Sequence, residues 1–249
     1  MNSLDSDLTP LRVVPFAEDV LIDYIRFKTG WYERNEVAEK SQLTYLSKYL
    51  KVDHIDAHSM IFENEYIDRH YLEDYSEYYA RCFAEYPRVC SRVHFFRKKF
   101  SEHDFLEWTQ CGDKEKIRDA LGEYLGFIVI RPLPHTFLAR VCIKPYGELT
   151  SAPESYKLIL EQQSVSLFGI SLEVGTAAFL EQDKVVAACA TSALWSLLAA
   201  SKHISSEMIP SPSTITKIAT DSHIGDHRTF PSKGLTGPQV LSVIKAFNM

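Results

Sequence analysis

Two strand-like runs between residues 126 and 146 constrain the fold of this chain most strongly. The segments GFIVIRPLP and FLARVCIKPY are rich in β-branched and aromatic residues, which favour strands, and Pro132, Pro134 and His135 lie between them. A short connection that contains proline is typical of two neighbouring strands. We therefore expect these two runs to pair within one sheet.

Further strand-like and helical segments alternate along the chain. Near-alternation of apolar and polar residues predicts strands in RVVPF, DVLIDYIRF, SMIFENEYI and RVHFFRKKF. Helical spacing of apolar residues predicts helices over residues 35–51, in RHYLEDYSEYYARCFAEY and in DKEKIRDALGEYL. A further helix is predicted to begin after Ser101, its N-cap, and to end at Gly112. The segment YKLILEQQSVSLFGISLEVGTAAFL predicts two or three more strands, broken at Gly169 and Gly175. This mixture predicts the α+β class.

Polar composition predicts where the chain divides and where it lacks regular structure. Residues 148–156 are polar and contain a proline, so we expect a boundary between residues 1–155 and residues 156–249. Residues 206–234 are rich in proline, serine and threonine and are predicted to form a loop. The final segment, LTGPQVLSVIKAFNM, predicts a helix with Thr236 as its N-cap.

Charge and cysteine content argue against several classes of function. The net charge of −6 and the lack of a clustered basic face argue against binding of nucleic acid. No apolar run reaches the roughly 18 residues that span a bilayer, and no signal peptide is visible at the N-terminus. Five cysteines without a CxxC spacing indicate a reducing compartment. We therefore expect a cytoplasmic protein with no membrane partner and no cofactor.

The segment EQDKVVAACATSALWSLLAAS, residues 181–201, carries the main candidates for catalysis. Cys189 precedes an apolar helix, and the positive potential at a helix N-terminus favours a thiolate. Alanines around Cys189 leave room for a substrate carbonyl, and Gln182 can donate its side-chain amide to an oxyanion beside the Cys189 N–H. These residues also leave open a packing role, because free cysteine often behaves as a small buried hydrophobe.

The same segment resembles the nucleophile region of papain-like cysteine peptidases. In FLEQDKVVAACATSALW a glutamine on a loop precedes the cysteine that opens a helix, as in the bacterial branch that includes bacteriocin-processing peptidases. The interval of seven residues is one longer than the usual papain-like spacing, and GLTGPQVLSVIKAF resembles a later helix of these enzymes. The resemblance implies a partial papain-like fold over residues 156–249, after a mixed α/β domain that selects the substrate or partner.

This resemblance implies hydrolysis of a peptide or isopeptide bond in a protein or peptide, and it implies a downstream histidine as general base. In papain-type enzymes that histidine lies roughly 130 residues past the cysteine, whereas 60 residues (249 − 189) follow Cys189 here. His223 and His227 are the positional candidates, with Asp221 or Asp226 to orient them. Otherwise the chain is a fragment, a shortened enzyme, or a non-catalytic binding or regulatory relative, for example in bacterial stress or phage defence.

Two further arrangements leave metal chemistry open as an alternative. His54 and His58, like His223 and His227, are four residues apart with aspartates nearby, a spacing that can hold a metal ion on a helix. An acidic group predicts a Mg²⁺-dependent nuclease as an alternative, and its members are Glu63, Glu65, Asp68, Glu73 and Asp74. A solvated strand face gives the same pattern, and we favour that interpretation and expect no bound metal.

Overall fold

The structure, a computed structural model, describes residues 11–30, 34–110, 112–145, 160–182, 189–201, 204, 208–221 and 234–249. Its strands are β1 (Leu11–Pro15), β2 (Ser59–Tyr66), β3 (Cys90–Phe96), β4 (Tyr124–Ile130), β5 (Leu138–Ile143), β6 (Glu161–Leu167), β7 (Ile170–Thr176) and β8 (Phe179–Leu180). Six of them form one antiparallel sheet in the order β1-β2-β3-β4-β5-β8, and β6 and β7 form a separate hairpin.

The helices surround this sheet. Within the described residues they are α1 (Glu18–Thr29), α2 (Arg34–Ala38), α3 (Ser41–Lys51), α4 (Arg69–Glu77), α5 (Glu102–Gln110), α6 (Lys114–Leu121), α7 (Cys189–Ala199), α8 (Pro212–Asp221) and α9 (Gly237–Ala246). Ser101 and Thr236 cap α5 and α9, as predicted. The antiparallel sheet with separate helices confirms the α+β class. None of the described helices is long and apolar enough to cross a membrane.

The strands β4 and β5 pair as the sequence predicts. All seven residues of β4 are buried, and Ile128 lies opposite Val141 of β5. Gly126 has a φ of 116°, and a Cβ at this position would overlap the carbonyl oxygen of Cys142. Only glycine therefore allows β5 to approach β4 so closely at this position.

The two faces of the sheet pack against different layers. On one face, Leu21 of α1 and Leu50 of α3 share an apolar cluster with Met60 of β2. On the other face, Phe127 of β4 shares a second cluster with the β6–β7 hairpin and with Trp195 of α7. Residues from before and after position 155 therefore contribute to the same apolar cluster.

The segment DVLIDYIRF forms part of helix α1, so the prediction of a strand there was wrong. Its buried residues include Leu21, Ile22 and Ile25, which recur at helical spacing. Acidic side chains occupy the first turn of α1, and Gly30, with a φ of 65°, ends the helix by donating its N–H to carbonyls of the last turn. The apolar residues of this short run fit both the two-residue repeat of a strand and the 3.6-residue repeat of a helix. Packing against the sheet favours the helix.

Residues 206–234 are not a continuous loop, because they contain α8. Pro212 begins the helix, where its fixed φ is favourable and its missing N–H is tolerated. The Ser211 hydroxyl accepts a hydrogen bond from a backbone N–H of the first turn. Asp74 of α4 accepts another from the N–H of Ser213 at 3.0 Å. Part of the support for α8 thus comes from a distant helix, which the local sequence does not reveal.

Candidate functional site

The predicted nucleophile lies at the start of helix α7. Cys189 is the first residue of α7 and is exposed, whereas Leu194, Trp195 and Leu198 are buried. The apolar side of the helix therefore fixes it against the sheet while its first turn stays accessible. The sequence predicts positive potential at this position, because the N–H groups of a first helical turn have no intrahelical acceptor.

A buried histidine attaches α7 to the rest of the molecule. The indole Nε1 of Trp195 donates to His70 Nδ1 at 3.3 Å, and His70 Nε2 lies 3.0 Å from the carbonyl oxygen of Ile209. Burial lowers the pKa of His70. In the neutral ring Nδ1 accepts from Trp195, while Nε2 lies within hydrogen-bond distance of both the Ile209 carbonyl oxygen and the Arg69 guanidinium, 2.9 Å away. Both ring nitrogens are therefore occupied, and His70 holds α7 rather than serving as a base.

Gln182 lies in contact with Cys189. The strand β8 ends at Leu180, and Gln182 follows two positions later as an exposed residue. The Cys189 thiol lies in close contact with Gln182 Oε1, to which it can donate a hydrogen bond. Residues 183–188 lie outside the described ranges. The structure thus brings the predicted nucleophile and the predicted oxyanion-hole glutamine together.

This contact suits two protonation states of the sulfur. A thiol donates to the carbonyl oxygen of the glutamine amide, which is the observed orientation. Turning the amide group over places its NH₂ donor beside the sulfur instead, because the two ends of the amide are similar in size. That second orientation stabilises a thiolate on Cys189, or an oxyanion that forms beside it.

Burial distinguishes Cys189 from Cys90 and Cys142. Cys90 and Cys142 are buried, and burial raises the pKa of both thiols, to about 12 for Cys142. These two thiols stay protonated at neutral pH and are therefore weak nucleophiles. Cys82 is exposed like Cys189, but it follows a single 3-10 turn rather than opening a helix. Cys111 lies outside the described residues.

The candidate general bases are not among the residues that the structure describes. His223 and His227 lie outside the described ranges, and so does Asp226. Asp221, the other predicted orienting carboxylate, is the last residue of α8 and is exposed. The described part of the candidate site therefore consists of the nucleophile, its helix N-terminus and the glutamine amide.

The metal-binding alternatives gain no ligand set from the described residues. His58 Nε2 lies 3.2 Å from Asp56 Oδ2, and both side chains are half exposed. Across the described ranges, no group of three or more histidine, cysteine, aspartate or glutamate residues is arranged to hold a metal ion. The pair His223 and His227 falls outside those ranges.

The acidic group of β2 and α4 is divided among separate environments. Glu63 is largely buried, with Oε2 2.7 Å from Arg92 Nε and 3.5 Å from His94 Nε2. Burial raises the pKa of Glu63, but the hydrogen bond with His94 and the charge of Arg92 outweigh it and hold the pKa below its ordinary value. Asp68 and Asp74 instead accept backbone N–H groups at the starts of α4 and α8. The favoured solvated face was therefore wrong for Glu63, because Arg92 lies opposite it on β3.

His94 is the centre of a buried polar cluster on the sheet. Its Nδ1 lies 2.8 Å from the Tyr124 hydroxyl, and its side chain is completely buried. Burial lowers the pKa of His94 to about 4, so the ring is neutral at pH 7. Because a substrate has no access to this ring, His94 is not a candidate base for Cys189.

An apolar groove borders the strand that leads to Gln182. It has a volume of about 480 Å³ and lies between α3 and the edge of the sheet formed by β5 and β8. Tyr45, Val141 and Phe179 are among its lining residues, and Phe179 is 47% exposed. A groove of this size and character accommodates an apolar side chain of a ligand.

Comparisons with known proteins identify no relative of this chain. The chain matches no protein-family model, and comparisons with curated proteins and with solved structures also find no match. The resemblance to papain-like peptidases therefore rests on the segments around Cys189 and Thr236 and stays a prediction. The geometry that bears on it is the contact of Cys189 with Gln182 at the exposed start of α7.

Proposed function

We propose that this protein is a papain-like cysteine peptidase that hydrolyses a peptide or isopeptide bond through a thioester on Cys189. The observation that carries the proposal is that the Cys189 thiol and the side-chain amide of Gln182 lie in contact. A cysteine that serves packing alone has no need for exposure or for a polar side-chain partner. Cys189 has both, at a position where the helix N-terminus favours negative charge.

The reaction begins when the Cys189 thiolate attacks the carbonyl carbon of the substrate bond. A sulfur–carbon bond forms, and the carbonyl oxygen becomes an oxyanion that accepts hydrogen bonds from the Cys189 N–H and the turned Gln182 amide. The oxyanion then collapses, the carbon–nitrogen bond breaks, and the amine leaves with the proton that the general base took from the thiol. Water hydrolyses the thioester and restores the thiol. His223 and His227 are the candidates for the base within this chain.

A protein or peptide is the proposed substrate. The apolar groove suits an apolar side chain of such a substrate, and it lies on the α3 face of the sheet, whereas α7 packs on the other face. An apolar side chain of a peptide fits a groove of about 480 Å³ with tyrosines at its rim.

Labelling with iodoacetamide at several pH values tests this proposal without a known substrate. Mass spectrometry gives the labelling rates of Cys189 and Cys82 in the same sample, and Cys82 is the control because it is exposed but opens no helix. We expect Cys189 to react roughly tenfold faster than Cys82 at about pH 6.5, since a thiolate is the reactive form.

Equal rates at the two cysteines, or protection of Cys189 from the reagent, would contradict the proposal. Either result would instead favour a binding or regulatory protein that has a peptidase-like core without its chemistry.

A further inference from the structure

Glu181 is a buried carboxylate directly before Gln182. It is 7% exposed, and its Oε2 accepts a hydrogen bond from the Leu138 N–H at 2.8 Å. Leu138 is the first residue of β5, and its carbonyl oxygen accepts a hydrogen bond from the buried guanidinium of Arg131 at 3.2 Å. Side chains of opposite charge therefore hold both backbone polar groups of Leu138.

The register of the sheet indicates what the Glu181 contact replaces. β8 pairs with β5 in antiparallel register, with Leu180 opposite Arg140. Two further residues in the same register would bring Gln182 opposite Leu138. The Leu138 N–H instead bonds to the carboxylate of Glu181. β8 ends at Leu180, and Gln182 contacts the sulfur of Cys189 instead of pairing with β5.

A buried carboxylate at this position needs a specific physical reason. Its removal from water is unfavourable unless hydrogen bonds replace its hydration. The neighbouring Leu180 is buried without any such requirement. The carboxylate of Glu181 suits its place because it satisfies a buried backbone N–H for which the short strand β8 supplies no acceptor.

We propose that Glu181 is a positioning residue: by bonding to Leu138 it ends β8 and holds the Gln182 amide beside the sulfur of Cys189. This role rests on the proposed function, in which the Gln182 amide touches the reacting atoms. Glu181 acts only through Gln182 and does not itself contact the sulfur.

The test is the iodoacetamide labelling rate of Cys189 in single and double variants. Q182A and E181A should each slow labelling at about pH 6.5 on the order of tenfold, because a misplacement of about 1 Å in a reacting site can cost up to roughly a hundredfold. In the double variant E181A/Q182A the labelling rate should equal that of Q182A alone, because Glu181 affects the sulfur only through the side-chain amide of Gln182. E181Q keeps an acceptor oxygen and should restore the wild-type rate within about twofold.

Glu102 supplies a matched control on the opposite edge of the sheet. Its Oε2 accepts a hydrogen bond from the N–H of Val13 in β1 at 3.2 Å, so it makes the same kind of contact far from β8. E102A should leave the labelling rate of Cys189 unchanged. If E181A fails to fold, E181D replaces it, because its shorter carboxylate still accepts a hydrogen bond but displaces the loop. E181D should then slow labelling as well.

The outcomes separate this role from the proposed function. If Q182A slows labelling but E181A and E181D do not, the role of Glu181 is overturned and the proposed function stands. Additive losses from E181A and Q182A also overturn it, because they indicate that Glu181 affects Cys189 without the amide. If Q182A leaves labelling unchanged, the proposed function fails and the role of Glu181 fails with it.

Discussion

Cys189 and Cys142 carry the same side chain in opposite surroundings. Cys189 is exposed at the first position of α7 and donates to a glutamine, whereas Cys142 is buried in β5 with its pKa raised to about 12. A thiol becomes a nucleophile only where its anion is stabilised. The difference between the two cysteines is therefore one of environment, and each predicts a different response to substitution.

Replacement of Cys189 by alanine should separate chemistry from stability. C189A removes the nucleophile, so any hydrolytic activity should be lost, while the free energy of unfolding should change by no more than about 0.5 kcal/mol at an exposed site. C142A is the matched control and should destabilise by about 1 kcal/mol or more, because it leaves a space in the core. Urea denaturation followed by circular dichroism measures both. A loss above about 2 kcal/mol in C189A would indicate a packing role.

His94 predicts a pH dependence of stability. Burial lowers its pKa to about 4 in the folded chain, from an ordinary value of 6.5. Between these two pH values the unfolded chain binds a proton that the folded chain does not, so stability falls as the pH falls from about 6.5 to about 4 and is fully present above that range. H94Q should remove this contribution and flatten the slope of unfolding free energy against pH.

Urea unfolding at a series of pH values measures the effect of H94Q. H58Q, at a half-exposed histidine, is the control and should retain the wild-type slope. An H94Q slope equal to that of the wild type would contradict this contribution of His94 and leave His70, whose pKa burial also lowers, as the group responsible.

Sequence reasoning at the level of residues named the candidate nucleophile, Cys189, and its partner Gln182 but missed Glu181. Gln182 and Cys189 could be named because their residue types and their interval suggest a chemistry. The role of Glu181 depends on its contact with Leu138, 43 residues away, and no local pattern carries that information. A charged residue directly after two strand residues was the available signal. The partnership of Glu63 with Arg92 was hidden for the same reason.

At the scale of elements, helices and strands were predicted correctly where the spacing of apolar residues fitted only one of the two structures. The β-branched runs of β4 and β5 fit only strands, and their pairing was predicted from the short connection. The shorter run in α1 fits two periods, and the prediction chose the wrong one. The first half of the tyrosine-rich segment forms α4 as predicted. The helix ends at Glu77, however, and a 3-10 turn follows in place of the predicted continuation. Tertiary contacts decide such lengths, as they also do for α8.

The pairing of β4 with β5 depends on Gly126. In G126A a Cβ would overlap the carbonyl oxygen of Cys142, and the φ of 116° is unfavourable for any other residue. We expect a loss of about 3 kcal/mol or more in the free energy of unfolding. G237A is the control, since nothing lies within 4 Å of a Cβ there, and it should change stability by less than about 0.5 kcal/mol. Comparable stabilities of G126A and G237A in urea would contradict this close approach of the strands.

At the scale of the whole molecule, the two parts of the predicted division share structure. β8, from the part after residue 155, extends the sheet formed by the earlier strands. His70 of α4 bonds to Trp195 of α7, and Asp74 of α4 bonds to the start of α8. The candidate site itself depends on this joining, because β8 leads to Gln182 while α7 presents Cys189.

This shared core predicts that the chain unfolds in a single transition. The apolar surface on one face of the sheet is buried only when both parts are present, since Phe127 of β4 and Trp195 of α7 belong to one cluster. Native-state hydrogen exchange with increasing urea measures whether the amides of β4 and α7 lose protection together. The expected result is loss at the same urea concentration. Earlier loss in α7 would indicate two units that unfold separately, as a boundary at residue 155 implies, and would place the candidate site on the less stable one.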